Sequence, residues 1–161
     1  KAANLIALGR AKTMGEGWET ARKPNRPPVL KKGPDGLIDF KNASDFCVLK
    51  LCCAGNVGEL EIDTNHFKGN FPESCIVEGC YLKEQLTYQQ ETALFLDAKR
   101  SACVKWVPVL ERVKLTPHAQ VRFPVKKELG PITHVRITIY PDGGVSRLRV
   151  LGLPVAAKSS L

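Results

Sequence analysis

The strongest constraint in this sequence is an alternating segment near the carboxyl end that is followed by a glycine turn. Residues 132–140 alternate apolar and polar side chains, and residues 145–151 return as a second extended segment. The residues between them are Pro141, Asp142, Gly143 and Gly144. Glycine accepts the positive φ that tight hairpin turns require. Because a period of two is typical of a strand with one buried face, the pattern predicts a β-hairpin.

Further extended segments precede this hairpin. Residues 46–52 predict a largely buried strand, residues 54–56 a turn, and residues 57–63 a half-buried strand. Three more strand candidates are residues 74–82, residues 121–125, and residues 104–115, which Pro108 makes a bent or edge strand. About seven short strands with turn residues between them favour an antiparallel β-sandwich over a parallel α/β fold.

The helical content predicted from the sequence is small. Residues 83–100 are the one stretch with helical composition, and they form either a short helix or a mobile insertion. The chain has 161 residues, which is the length of one domain, and it contains no internal repeat or domain boundary. We therefore predict a single all-β domain over residues 1–161 that has room for one short helix.

The charge of +8 is segregated along the chain. Residues 1–34 carry a net charge of +6, residues 35–97 of −7 and residues 98–161 of +9. Opposite charges neutralise one another on folding, and the sequence contains no block of five or six like charges, so we expect no nucleic-acid partner. A positive field still attracts a small anionic ligand. No apolar run approaches the roughly 20 residues that span a bilayer, so we expect no membrane partner.

The six cysteines favour a reduced, intracellular protein. The sequence contains no Cys-x-x-Cys, and its three histidines are not placed near the cysteines at zinc-site spacing. We expect six free thiols that act as small hydrophobic side chains, because a chain of this size does not need a disulfide framework. The adjacent Cys52 and Cys53 are expected on opposite faces of a strand.

A glycine-rich loop around Trp18 is the first candidate site. Trp18 offers a flat apolar wall, Glu19 an acceptor and Arg22 a bidentate donor. The alternative is structural: Trp18 plugs the end of the sandwich while Glu19 and Arg22 pair with each other.

Residues 63–73 form the second candidate site. A loop after a strand contains four charged or polar residues, Asp63, His66, Lys68 and Asn70. Ordering so many polar groups in one loop costs free energy unless they form hydrogen bonds with one another or with a ligand. His66 is a candidate general base near neutral pH. The alternative is a self-satisfied network of Asx turns.

The third candidate site surrounds the predicted hairpin and includes His134, Arg136 and Arg147. Strand alternation puts His134 and Arg136 on one face, and the alternative is an ordinary polar outer face. We expect the segments of Trp18, His66 and His134 to meet at a common rim of the sheet scaffold.

Three segments together resemble the allantoicase family. They are residues 9–22 (GRAKTMGEGWETAR), residues 61–79 (EIDTNHFKGNFPESCIVEG) and residues 132–152 (ITHVRITIYPDGGVSRLRVLG). The family is a tandem of two similar repeats, and this chain resembles one of them, more closely the second, C-terminal repeat. The opening residues fit a chain that begins inside a larger enzyme. Ala21, before Arg22, departs from the family pattern, in which basic residues follow Trp-Glu-Thr directly.

The resemblance implies a jelly-roll β-sandwich of the galactose-binding-like type and a hydrolase of purine (ureide) catabolism. Such an enzyme converts allantoate and water to ureidoglycolate and urea. The reaction needs a cation for the substrate carboxylate, acceptors for the ureido N–H groups, and an acid/base pair. Catalytic candidates are His66, His134, Asp63 and Glu19; substrate-binding candidates are Trp18, Arg22, Lys68, Asn70, Arg136 and Arg147.

The remaining expectations concern cofactors, partners and location. We expect no cofactor; a divalent metal held by Asp63 and His66 within a larger ligand set is the alternative, which no ligand cluster in the sequence supports. The expected partners are a small ureide substrate, the other repeat of the same enzyme and, in a homo-oligomer, further copies. We expect a cytoplasmic or peroxisomal location, although residues 159–161 lack the basic middle residue of a peroxisomal Ser-Lys-Leu signal. The competing function is a non-catalytic β-sandwich that binds a ligand or assists assembly.

Overall fold

The computed structural model describes residues 1–41 and 43–155, so residues 159–161 lie outside the described part. The strands are β1 (Trp18–Glu19), β2 (Lys31–Lys32), β3 (Ile38–Asp39), β4 (Asp45–Asp63), β5 (Ser74–Cys80), β6 (Val107–Lys114), β7 (Gln120–Pro124), β8 (Ile132–Tyr140), β9 (Gly144–Val145) and β10 (Arg147–Pro154). The helices are α1 (Tyr88–Leu96) and α2 (Ala98–Ala102), and 3-10 turns occupy Ala2–Ile6 and Met14–Glu16.

The 19-residue strand β4 joins the two layers of the sandwich. Its first part pairs with β8, which continues through β5 to β6. Its last part lies between β7 and β10. All of these pairs are antiparallel. The register between β4 and β8 shifts between Lys50 and Gly55, and such an irregularity bends a strand, which lets β4 pass from one layer to the other.

One apolar core lies between the layers. Val135, Ile137 and Ile139 of β8 point into it, because alternate residues of a strand share a face, and Leu60 and Ile62 of β4 meet them from the other layer. All five side chains are buried. The predicted all-β antiparallel sandwich is confirmed.

Two local predictions for β4 are wrong. Residues 54–56 do not form a turn, because Gly55 and Asn56 pair with Pro154 and Leu153 of β10. These interstrand contacts outweigh the local turn preference of Ala-Gly-Asn. Residues 46–52 are not largely buried either, since Cys47 is the only one of these residues that is buried.

The predicted hairpin is also wrong, although both of its strands exist. The two strands are not hydrogen-bonded to each other, because β8 lies between β4 and β5 while β10 pairs with the last part of β4. Residues 141–146 carry the chain between the layers, and β9 within them pairs with β1. The alternation identified the strands but not their partners.

The segment with helical composition contains α1 and α2. Thr87 caps α1: its hydroxyl accepts from the Gln90 N–H, and the Gln90 side chain accepts from the Thr87 N–H. The helix covers the outer face of β8, where the Phe95 ring lies 5.3 Å from the His134 ring. None of the helices that the structure describes is both long and apolar enough to cross a membrane.

Three other strand predictions agree with the structure. The segments at residues 74–82 and 121–125 correspond to β5 and β7. The segment containing Pro108 corresponds to β6, which forms the edge of its sheet. Proline is tolerated at an edge because it lacks the N–H that an inner strand must donate.

Candidate functional site

Three loops meet at one end of the sandwich, which we call the loop end and define as residues 13–20, 64–73 and 141–146. Thr20 N–H donates to the Gly143 carbonyl at 3.0 Å, and Gly144 N–H donates to the Asn70 carbonyl at 2.8 Å. Gly143 N–H also donates to the Thr20 hydroxyl at 3.2 Å. Backbone hydrogen bonds therefore fix these loops relative to one another.

Phe67 anchors the loop end from inside. Its ring is fully buried and touches Gly17 and Gly144. A Cβ on Gly17 would lie 2.7 Å from this ring, and one on Gly144 would overlap it. The two glycines therefore let the neighbouring backbones approach Phe67 closely, and Phe67 holds its loop in place between them.

An open cleft of about 560 Å³ lies at the loop end. Its charged and amide side chains come from different parts of the chain and are Glu19, Arg22, Arg26, Asn70, Glu73, Lys114 and Asp142. We call it the rim cleft. Asn70 Nδ2 donates to Glu19 Oε1 across it, and Asp142 Oδ2 accepts from the Lys23 N–H at 2.8 Å. The structural alternative expected Glu19 to pair with Arg22. Instead, Glu19 is hydrogen-bonded to Asn70.

The rim cleft combines cations with hydrogen-bond acceptors. Arg22, Arg26 and Lys114 provide positive charge, and Glu19 with Asp142 provides carboxylate oxygens. A guanidinium binds a carboxylate with two parallel hydrogen bonds, and carboxylate oxygens accept from N–H groups. The arrangement is therefore suited to a small molecule that carries a carboxylate and several N–H donors.

Three of the seven charged or amide residues of the cleft were predicted from the sequence: Glu19, Arg22 and Asn70. Arg26 was missed because it stands in a proline-rich coil, and Lys114 because it ends an edge strand. Asp142 was interpreted as a turn residue. Glu73, the fourth, lies at the end of the second candidate segment, residues 63–73, but was not singled out. No local pattern distinguishes these four residues from surface charges, because the fold alone brings them together.

Trp18, Asp63 and Arg147 lie beneath the surface. Trp18 is 7% exposed and packs in the core, where it plugs the sandwich end as the structural alternative described. Arg147 is 3% exposed, and its guanidinium donates to the carbonyls of Gly9, Glu16 and Ser146. The Arg147 side chain therefore holds the amino-terminal segment against β10.

Asp63 belongs to a buried charge network. Its carboxylate accepts from the Asn65 N–H at 2.7 Å and from Arg10 at 3.1 Å. Arg10 also donates to Glu61. This hydrogen bond holds the pKa of Glu61 below its usual value, with a further contribution from Arg122. Buried carboxylates with such partners stabilise the fold at neutral pH.

His66 and Lys68 lie on the loop that carries Asn70. His66 is half-buried, with Nε2 2.9 Å from the Ala11 carbonyl, and its N–H donates to His118 Nδ1 at 2.9 Å. Lys68 is exposed. Both residues are at the loop end but outside the lining of the rim cleft.

His134 and Arg136 do not reach the loop end, so the expected common rim is wrong for the His134 segment. His134 pairs with Lys50 and Cys80, whereas the end of β8 at Tyr140 pairs with Ser74. Tyr140 lies six positions after His134 in the extended strand β8, which corresponds to about 20 Å. The chain passes to the loop end only after that point.

The surroundings of His134 and Arg136 are specific. His134 is 3% exposed, and burial lowers its pKa, with the nearby Glu91 carboxylate as a partial opposing influence. Arg136 donates to Glu78 at 2.7 and 3.0 Å and stacks 4.3 Å from the centre of the Trp106 ring. The outer face of β8 is thus covered rather than an open polar surface.

The metal alternative does not fit the geometry. Asp63 oxygens bond to Arg10 and Asn65, and His66 Nε2 faces a carbonyl. Within residues 1–41 and 43–155, no group of three or more His, Cys, Asp or Glu side chains is arranged to hold a metal ion.

The fold and the cleft define a β-sandwich domain with a polar cleft among its end loops. A sequence profile described as "Allantoicase repeat" matches residues 1–155. A "Probable allantoicase" of Pseudomonas syringae pv. tomato is 40% identical over 151 residues, covering 92% of this chain and 38% of the relative. One from Pseudomonas fluorescens strain SBW25 is 39% identical with the same coverage.

Solved structures agree. The crystal structure of allantoicase from Saccharomyces cerevisiae superposes with a TM-score of 0.68 at 29% identity, covering 94% of this chain and 36% of that one. The protein CpGH89CBM32-6 from Clostridium perfringens, at 10% identity and a TM-score of 0.51, shares the fold alone. The chain belongs to the allantoicase family, and the predicted resemblance and jelly-roll type of sandwich are confirmed. It spans 38% of the length of these curated relatives.

Proposed function

We propose that this chain is one repeat of an allantoicase, an enzyme that hydrolyses allantoate to ureidoglycolate and urea. The observation that carries the proposal is the rim cleft, whose lining contains the Glu19–Asn70 pair together with Arg22 and Arg26. Allantoate has one carboxylate and two ureido groups, so it presents the charge and the N–H donors that this lining suits. Family membership supports the same reaction.

Within this proposal, Arg22 and Arg26 bind the substrate carboxylate, and Glu19 and Asn70 accept from ureido N–H groups. Glu19 is the titratable residue best placed in the cleft to move a proton to or from the reacting ureido nitrogen. Lys68 adds positive charge at the approach to the cleft.

Trp18, Asp63 and Arg147 are proposed as positioning residues, since their contacts are with the core and with neighbouring loops. His66 is proposed to hold the Asn70 loop against Ala11. A catalytic role for His134 and a binding role for Arg136 require that the other repeat, or another copy of the chain, complete a site beside α1. The proposed partners are therefore the substrate, the other repeat and a homo-oligomer, and the proposed location is the cytoplasm or the peroxisome.

The test compares two preparations: this chain alone, and the same chain within an enzyme that contains both repeats. Each is mixed with allantoate, and the release of urea is measured. Urea from either preparation supports the proposal, and urea from the longer enzyme alone places the complete site across the repeats. Urea from neither contradicts it.

The second candidate function is a non-catalytic ligand-binding or assembly module. It is favoured by the separation of His134 from the rim cleft and by the position of His66 outside its lining, which together leave the cleft without either of the two predicted histidines. Such a module binds allantoate through the cleft and releases no urea in either preparation.

A further inference from the structure

Two cysteine thiols lie side by side on the surface of β4. Cys52 and Cys53 are consecutive, so strand alternation predicts opposite faces. They stand where the register between β4 and β8 shifts between Lys50 and Gly55, and the regular alternation fails at such a shift. As a result, Cys52 Sγ donates to Cys53 Sγ across 3.8 Å.

The thiol pair is accessible to a ligand. Both residues are exposed, and both line two surface cavities, of about 280 and about 690 Å³.

 The two cavities are neighbours, since both also include Leu51 in their lining, and both open to solvent. Residues 51–58 and the facing residues 151–155 contain no charged side chain. Lys50, Tyr81, Lys83 and Glu84 line the larger cavity.

The distance between the sulfurs suits a bridging atom. A tetrahedral metal with metal–sulfur bonds of about 2.3 Å separates two sulfurs by about 3.8 Å, which matches the observed 3.8 Å between Cys52 and Cys53. A direct disulfide is disfavoured, because the Cα atoms of consecutive residues are about 3.8 Å apart, below the roughly 4.4 Å at which disulfides begin.

We propose that Cys52 and Cys53 form a two-thiolate site for a thiophilic d¹⁰ cation of the Zn²⁺, Cd²⁺ and Cu⁺ class. On binding, each thiol releases its proton to solvent, two metal–sulfur bonds form, and water ligands leave the metal until two remain to complete the tetrahedron. No oxidation or reduction takes place. Within the described residues no third His, Cys, Asp or Glu joins the pair, so water fills the remaining coordination positions.

The other cysteines provide internal controls. Cys47, Cys75 and Cys80 are buried, and burial raises the pKa of these thiols to about 11, about 12 and about 11, respectively. They are therefore protonated and shielded at neutral pH. Cys103 is exposed, and its thiol donates to the Lys99 carbonyl at 3.5 Å instead of to a second thiol, so it matches the accessibility of the pair without the second ligand.

The experiment titrates the full chain with Cd²⁺ after reduction by a phosphine that does not bind the metal. The expected result is an ultraviolet sulfur-to-cadmium absorption band that saturates at one Cd²⁺ per chain, together with the release of two protons per metal. Cys52→Ser and Cys53→Ser should each weaken binding by roughly tenfold or more, and Cys103→Ser should leave it unchanged.

Thermal unfolding of each variant shows whether it is folded, and serine at these exposed positions should keep the wild-type midpoint. The proposal is overturned if the wild type shows no saturable band, or if Cys103→Ser lowers affinity as much as Cys52→Ser does. Neither result depends on urea release, so the outcome is separate from that of the proposed enzymatic function.

Discussion

At the scale of single residues, Glu19 carries the largest predicted effect on activity. Replacing Glu19 with Gln keeps the size of the side chain but removes its charge and its ability to exchange a proton. In the two-repeat enzyme we expect urea release to fall by about 10²-fold or more. Glu111→Gln is the matched control, since Glu111 is exposed on β6, outside the rim cleft. Near-normal turnover by the Glu19 variant would remove Glu19 from the proposed mechanism.

His134 makes a different prediction, which concerns stability and pH. Burial lowers its pKa in the folded chain, while the unfolded chain has a histidine pKa of about 6.5. At pH values between the folded and the unfolded pKa, the unfolded state binds a proton that the folded state does not. The contribution of His134 to the free energy of unfolding is therefore fully present above about pH 6.5 and is lost as pH falls towards the pKa of the folded state. The slope from this residue is at most about 1.4 kcal/mol per pH unit.

The measurement is the midpoint of urea unfolding at several pH values between 5 and 8. His134→Gln should flatten the decline below pH 6.5, because it removes the buried imidazole whose pKa is lowered. An identical decline in the wild type and the His134 variant would show that another group causes it.

At the residue scale, the sequence located part of the candidate site. Glu19, Arg22 and Asn70 were found because they stand in loops that are dense in polar groups and glycine. Trp18 and Arg147 lie in similar segments, yet their side chains are buried. Local sequence does not distinguish these two cases, since burial depends on which loops the fold brings against each residue.

At the scale of elements, the close packing of Phe67 against glycine gives a third prediction. Gly144→Ala forces a methyl group into the Phe67 ring, so we expect a loss of about 1–3 kcal/mol in the free energy of unfolding. Gly69→Ala is the matched control, because no atom lies within 4 Å of a Cβ built there. The midpoint of chemical denaturation at constant slope measures both variants. Equal midpoints would contradict the proposed role of Gly144.

Strand β4 shows why elements are easier to predict than their pairing. The alternation of residues 57–63 correctly indicated a strand, and Ala54-Gly55-Asn56 has the composition of a turn. Pairing with Leu153 and Pro154, nearly 100 residues away in the sequence, keeps this segment extended. In the same way, the glycine turn after β8 leads to another layer and not to a hairpin, because β4 occupies the place beside β8.

At the scale of the whole molecule, one core cluster draws on both layers of the sandwich. We therefore predict that the domain unfolds in a single cooperative transition. Trp18 reports on the loop end, and Trp106 reports on the opposite part of the fold, where it stacks with Arg136. Unfolding followed by the fluorescence of Trp106→Phe, which retains Trp18, should coincide with unfolding followed by circular dichroism. Separate midpoints would show that the loop end unfolds independently.

The account as a whole depends on the rim cleft as the place where a carboxylate with ureido groups binds. The most direct test is a titration of the ¹⁵N-labelled chain with allantoate, followed by NMR chemical shifts of the backbone amides. We predict saturable shifts at Thr20, Asn70 and Gly143, with those of Lys50, Glu91 and His134 unchanged. Saturable shifts confined to the residues around α1, or no shifts at the loop end, would contradict the account.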